Sequence, residues 1–251
     1  MRNAMIGAVA AVAIACVLVL AVIAVPQANA ATNADWAWPG MQYDIYKANS
    51  WYTCSVGFPA WNSAGDRYFI SAGHCFRSAS GTQYLQPNGA GVEIYDPSNH
   101  STPIGYESIY TNPANGRYDD IALVTMFPGA KLSGNGWEHI PDNPVNVAVG
   151  DSVCLDGDRH TNSNCGTVTG VGVSSTLTGY PWTATVDTAN FCAQHGDSGG
   201  AVYNNNGAVG ILIAVGDQNA LPGPAGSCYS TFVPIGVALQ ILRMQQPSLT
   251  I

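Results

Sequence analysis

The sequence predicts an all-β fold. Short runs rich in β-branched and aromatic residues recur along it, among them Tyr68-Phe69-Ile70, Gly91-Val92-Glu93-Ile94-Tyr95, Ile121-Ala122-Leu123-Val124 and Gly207-Ala208-Val209-Gly210-Ile211-Leu212-Ile213. Gly, Asn, Asp and Pro separate these runs at short intervals, the pattern of strands in barrels or a sandwich. One segment has helical spacing instead: Pro234 can open it, Ile235, Ala238, Leu239 and Leu242 fall on one face, and Pro247 lies just beyond. No repeat, low-complexity tract or charge run is visible.

Taken in order, the chain begins with a segment to set aside. Met1 and Arg2 give a short positive start, no charged residue appears from Asn3 to Ala34, and the apolar run ends at Pro26 before Ala28-Asn29-Ala30. Residues 1–30 read as a secretory signal cut after Ala30, which makes the protein a secreted, extracellular one. Ala4 to Val25 is long enough to span a bilayer, so a membrane becomes a partner only if that cut is not made. Cleavage leaves 251 − 30 = 221 residues, enough for one large all-β unit or two small lobes. A looser stretch from His139 to Pro144 divides the chain near its middle.

The formal charge is −8 over the whole sequence and becomes −9 without Arg2. An acidic chain with so few cations is a poor match for nucleic acid or an anionic membrane surface. Seven cysteines become six once Cys16 leaves with the signal. An even number in an exported chain argues for three disulfides, though six cysteines allow fifteen connectivities and counting does not choose among them. No Cys-x-x-Cys or His-x-x-x-His spacing suggests zinc, and no metal or cofactor is expected.

Three segments carry chemistry: Ser71-Ala72-Gly73-His74-Cys75, Asp119-Asp120-Ile121-Ala122-Leu123 and Gly196-Asp197-Ser198-Gly199-Gly200. A serine hydroxyl is a poor nucleophile until a base takes its proton, and that imidazole needs a third group to hold its tautomer. The tetrahedral intermediate needs backbone N–H donors aimed at its oxyanion, and glycines beside the serine allow the tight conformation that points them inward. Ser198 suits the nucleophile, with the amides of Gly196 and Ser198 as the oxyanion hole. His74 suits the base, and Asp120, heading an apolar strand, suits the carboxylate that orients it. An ionised carboxylate in an apolar setting needs a partner, and an imidazole N–H is one.

In the order His, Asp, Ser these segments resemble the chymotrypsin family. The resemblance is nearest to its compact bacterial branch, the streptogrisins and α-lytic proteases, through Cys192-Ala193-Gln194-His195-Gly196-Asp197-Ser198-Gly199-Gly200, Cys165-Gly166-Thr167-Val168 and Thr231-Phe232-Val233-Pro234. It runs from about Tyr43 to Arg243. It implies two six-stranded antiparallel Greek-key β-barrels with a C-terminal helix, residues 43–140 forming the first barrel with His74 and Asp120, and 141–251 the second with Ser198. Residues 31–42 would be an N-terminal extension or short propeptide, such as a trimmed Ala31 to Trp38. The resemblance further implies disulfides Cys54–Cys75, Cys154–Cys165 and Cys192–Cys228, a monomer, and peptide or protein substrates hydrolysed through an acyl-enzyme.

Other residues have blander readings. Asp119 reads as a solvated neighbour of Asp120, His195 as a loop residue near the oxyanion hole, and His100, His139 and His160 as structural or solvent-facing. Asn99-His100-Ser101 fits a glycosylation sequon, a very common pattern. Three features depart from the bacterial branch, the first being that the stretch from Ala31 to Tyr43 is expected to leave no room for the long pro-region many relatives carry. Leu155 stands where relatives commonly carry an arginine that pairs with the aspartate before the serine, which makes Arg159, or a newly made N-terminal amine, the expected partner of Asp197. The strand lining the specificity pocket carries Ile213, Ala214, Val215 and Gly216 where relatives have a serine and two glycines, and Asn190 near the pocket base is uncharged. Small or medium apolar side chains before the cut are expected. The rival reading is a catalytically silent secreted binding module on a protease scaffold, since a fold alone does not prove activity.

Overall fold

In the computed structural model, residues 35–77, 91–110, 119–134, 136, 140, 142–159, 164–176, 183–215 and 228–251 are described. The chain forms strands β1 (Gln42–Lys47), β2 (Ser50–Ser55), β3 (Phe58–Trp61), β4 (Arg67–Ala72), β5 (Glu93–Asp96), β6 (Asn99–Tyr110) and β7 (Ile121–Met126), with a 3₁₀ turn at Gly73–Phe76. Then follow β8 (Ser152–Asp156), β9 (Asn164–Thr176), β10 (Thr183–Ala189), β11 (Ala201–Asn204), β12 (Gly207–Val215), β13 (Ser230–Pro234) and helix α1 (Ile235–Arg243). The all-β reading is right, and α1 buries Ile235, Ala238, Leu239 and Leu242 on the face its spacing defines.

The two sheets differ. β8 to β13 close into a six-stranded antiparallel barrel in the order β10-β13-β12-β11-β8-β9. The first seven strands form a sheet in the order β2-β1-β5-β6-β7-β4-β3, seven strands where six are expected. Its edge strands, β2 and β3, are consecutive in the chain with only Val56 and Gly57 between them, so the sheet curls round until one broken strand supplies both edges. Contacts made by these two residues account for the break. Gly57 gives its N–H to Ile70, and Val56 exchanges backbone bonds with Gly40 and Met41. A Cβ on Gly57 would stand 2.8 Å from the carbonyl oxygens of Gly199 and Ile70, so only glycine lets the second barrel approach there.

One core cluster fills the first sheet and extends over α1 and one face of the barrel, with Tyr43, Phe58, Phe69 and Phe76 among its fully buried side chains. A smaller cluster, including Leu155, Phe191 and Phe232, fills the interior of the barrel. Each such large apolar side chain contributes roughly 1.5–3 kcal/mol by leaving water. Both ends of the described chain join the larger cluster. Trp36 is buried, with its indole N–H on the Tyr68 carbonyl at 2.9 Å. Beyond α1, Leu249 and Ile251 are buried in the same cluster, and Thr250 exchanges two backbone hydrogen bonds of 2.9 Å with Trp61. All described residues belong to one compact unit, Asn33–Ile251.

Candidate active site

His74 stands on the 3₁₀ turn that follows β4, and Asp120 immediately precedes β7, the neighbour of β4 in the sheet. The pairing Ala72↔Ile121 brings the two residues together. The Asp120 carboxylate, fully buried, accepts the His74 backbone N–H on Oδ1 at 2.6 Å and faces His74 Nδ1 with Oδ2 at 2.8 Å. Gly73 adds a backbone bond to the Asp120 carbonyl at 2.9 Å. Asp120 does this with φ at +50°, a conformation a non-glycine residue adopts only when its surroundings over-determine it. Bound at both oxygens, the carboxylate fixes the ring's orientation and suits an N–H on Nδ1, the tautomer in which Nε2 can accept a proton. Asp119, expected to be solvated, is buried beside it.

Ser198 comes from the tight turn that leads into β11. Gly196 and Gly199 flank it at φ +107° and +88°, left-handed values that favour glycine. Two links join this turn to the histidine. Ser55 donates its N–H to the Ser198 carbonyl at 2.8 Å, and its neighbour Cys54 is disulfide-bonded to Cys75, which adjoins His74. Cys75 Sγ accordingly lies 4.0 Å from the Ser198 carbonyl oxygen. Gly199 gives its N–H to Leu212 of β12, while a Cβ on it would collide with Ser71 Oγ and stand 2.5 Å from the Ser55 carbonyl. Backbone against backbone, the serine turn therefore docks on the first sheet where the histidine turn begins.

The Trypsin family matches this sequence over residues 62–235, a span that contains all three residues. The chain belongs to the trypsin family. It is 30% identical over 163 residues to Serine protease 2 of Streptomyces fradiae, covering 63% of this chain and 84% of that protein. It is also 30% identical over 199 residues to Streptogrisin-C of Streptomyces griseus, covering 78% of this chain and 38% of that protein. The crystal structure of Nocardiopsis protease superposes with a TM-score of 0.60 at 20% identity, over 85% of this chain and 97% of that one. This trypsin-family chain is a serine-type endopeptidase, and peptides or proteins are its substrates.

Residues with no motif to mark them complete the site of this protease. Ser55 is fully buried, donates its hydroxyl to the Gly196 carbonyl at 2.7 Å and accepts the Asp158 N–H at 2.8 Å. It thus binds the serine turn at Gly196 and at Ser198, and adjacency to Cys54 is the only signal its sequence position offers. Ser71 donates to the Ser55 carbonyl at 2.8 Å and pairs with the Tyr43 hydroxyl at 2.8 Å. Asp197 is fully buried and accepts the amides of Gln194 at 2.8 Å and Arg159 at 2.7 Å. Arg159 is thus its partner through the backbone N–H, while the guanidinium Nε faces Asp158 at 3.0 Å.

The expected pocket residues divide. Ile213 is buried in the larger core cluster and forms a bulge, since Leu212 and Ala214 on either side pair with adjacent residues of β13, Phe232 and Thr231. Bulges of this kind re-aim side chains beside active sites. Ala214 is half-buried against the same cluster. Asn190 is turned to β9, its Oδ1 accepting the Thr167 N–H at 2.5 Å. Val215 pairs with Ser230 through its backbone, whereas Gly216, His139 and His160, like residues 1–34, lie outside the described residues. His195 is exposed in its turn, and His100 stacks on Trp51 and meets Asp44 at 2.7 Å. The remaining disulfides join Cys154 to Cys165 and Cys192 to Cys228, and three such bonds suit an oxidising compartment. Among the described residues no helix is long and apolar enough to cross a membrane, and no group of side chains could hold a metal ion.

Proposed function

We propose that Ser198, His74 and Asp120 form the catalytic triad of an exported, monomeric endopeptidase that works through an acyl-enzyme and cuts after small or medium apolar residues. The observation that carries this reading is the double engagement of His74 by Asp120, at its amide and at Nδ1. Nε2 of His74 takes the proton of the Ser198 hydroxyl as its oxygen attacks the peptide carbonyl. The amides of Gly196 and Ser198 receive the oxyanion, and the imidazolium, held by Asp120, then protonates the leaving amine. Water, activated by the same imidazole, hydrolyses the ester and returns the proton to Ser198.

The preference for apolar residues is supported by Ala214, whose half-buried side chain adds apolar surface and no charge on the strand beside the nucleophile. Export is supported by the leader-like residues 1–30 and by the three disulfides. Residues 31–251 incubated with a diverse peptide library, beside the Ser198→Ala variant, test the whole reading. Ser198→Ala is expected to lower turnover by about 10⁴-fold or more. Equal cleavage by both proteins would remove Ser198 from the mechanism, and preferred cleavage after Arg, Lys or Glu would overturn the apolar pocket.

A further inference from the structure

The turn that carries His74 ends with carbonyl groups that no further helical turn covers, the His74 carbonyl accepting the Arg77 N–H at 3.2 Å. A 3₁₀ turn of four residues, Gly73–Phe76, leaves such acceptors at its C-terminal side, where cations bind best. Lys47, the last residue of β1, reaches them. Its Nζ lies 3.2 Å from the carbonyl oxygen of His74, 2.5 Å from that of Cys75 and 3.0 Å from that of Arg77. Three N–H donors meet three acceptors, and the Tyr52 ring stands 4.8 Å from the same nitrogen. The charged groups around it are Glu107 of β6, Arg77 at the end of the turn, and Asp120 ahead of β7.

We propose that Lys47 is a positioning residue for the catalytic base: its ammonium ties the carbonyls of the histidine turn to the first hairpin and so fixes where the His74 ring stands relative to Ser198. This inference rests on the triad reading above. Lys47 touches the turn at its carbonyl oxygens and acts through the backbone. A neutral amine at the same place offers two donors to three carbonyls and no charge, so the turn loses its anchor when the proton leaves.

That loss falls within reach of an experiment. Burial pushes the ammonium down to about 8, with Glu107 and Asp120 opposing the shift and Arg77 adding to it. In an unfolded chain the lysine would hold its proton to about pH 10.4. The folded form therefore binds fewer protons between those values, and this group makes folding more favourable as pH rises through that window. Activity and stability should part company there, which a merely structural lysine would not produce.

The test measures kcat and KM from about pH 6 to 10 on the best peptide from the library, for the unaltered protein, Lys47→Arg and Lys47→Met, with circular dichroism alongside. The unaltered protein should lose kcat on the alkaline side with a midpoint near pH 8 while its spectrum stays native. Lys47→Arg, whose guanidinium keeps its charge, should retain most of the activity and carry the alkaline fall to higher pH. Lys47→Met should lose about 10²-fold in kcat, with KM little changed and no alkaline fall of this origin. An alkaline fall at the same pH in Lys47→Arg, or the unaltered kcat in Lys47→Met, would overturn the proposal. If Lys47→Met does not fold, the Lys47→Arg profile decides. Absence of any Ser198-dependent cleavage in the unaltered protein would instead sink the triad reading and this inference with it.

Discussion

Charge is buried beneath both halves of the site, but in opposite ways. Under His74 the charges alternate in sign: Lys47, Arg77, Glu107 and Asp120 lie together, with Arg77 Nη2 3.7 Å from Glu107 Oε1 and both side chains fully enclosed. Under Ser198 the charges are alike, for Asp156 and Asp197 are both buried carboxyls. Asp197 is served by backbone amides, whereas neither oxygen of Asp156 has a hydrogen-bond partner among the described residues. Its carboxyl presses on Gly40, where a Cβ would stand 2.6 Å from Asp156 Cγ. Burial, then the charge of Asp197, pushes Asp156 up to about 7. The histidine is thus held by opposite charges, and the serine by backbone geometry above a carboxyl that suits its place only when protonated.

Breaking the alternating cluster should have the larger consequence. Arg77→Met leaves Glu107 enclosed without its guanidinium, and removing one partner of a buried pair costs about 3–5 kcal/mol. The guanidinium also packs beneath Gly73, so urea unfolding midpoints and activity should fall together. A variant as stable as the unaltered protein would show that the pair contributes nothing net.

The like-charged pair predicts a change of the other sign. The folded form keeps the Asp156 proton to about pH 7, while an unfolded chain loses it near pH 4. The folded state therefore binds more protons across that window, and stability falls as pH rises through it, levelling above the folded value. Asp156→Asn removes this contribution, at most about 4 kcal/mol at neutral pH, and should flatten the decline in a series of urea titrations from acid to neutral pH. An unchanged decline would place its source elsewhere.

The smallest effect sharpens the comparison. Because Arg159 serves Asp197 through its backbone amide, Arg159→Ala should change stability by no more than about 0.5 kcal/mol, as read from the thermal midpoint. A larger loss would mean that the guanidinium matters to the serine turn after all.

The three residues of the proposed triad stood out in the sequence by the chemistry of their side chains. His74, Asp120 and Ser198 stand in short runs that carry their own context of glycine, cysteine and apolar strand, and α1 announced its buried face by spacing. What could not be read was set by partners distant along the chain. The break at Val56–Gly57 exists because Gly199 arrives there from the second barrel, and nothing within the run from Ser50 to Trp61 records that approach. Ser55 and Lys47 act on backbone groups, which every residue possesses, so no pattern of side chains marks them, and Arg159, expected as the partner of Asp197, serves it through its amide. Asp119 looked solvated because an acidic residue at a strand end usually is, and packing decided otherwise.

The bridge between Trp61 and Thr250, with Leu249 and Ile251 in the same core, has a consequence for the order of events at birth. The sheet that carries His74 is encoded first, yet it is sealed by residues that leave the ribosome only after the whole second barrel. An N-terminal unit commonly folds while the rest is still being made, but here β3 gains its Thr250 partner only when the last strand and α1 are already made. A nascent chain that stops short of Thr250 therefore holds His74, the proposed base, in a sheet that still lacks this partner.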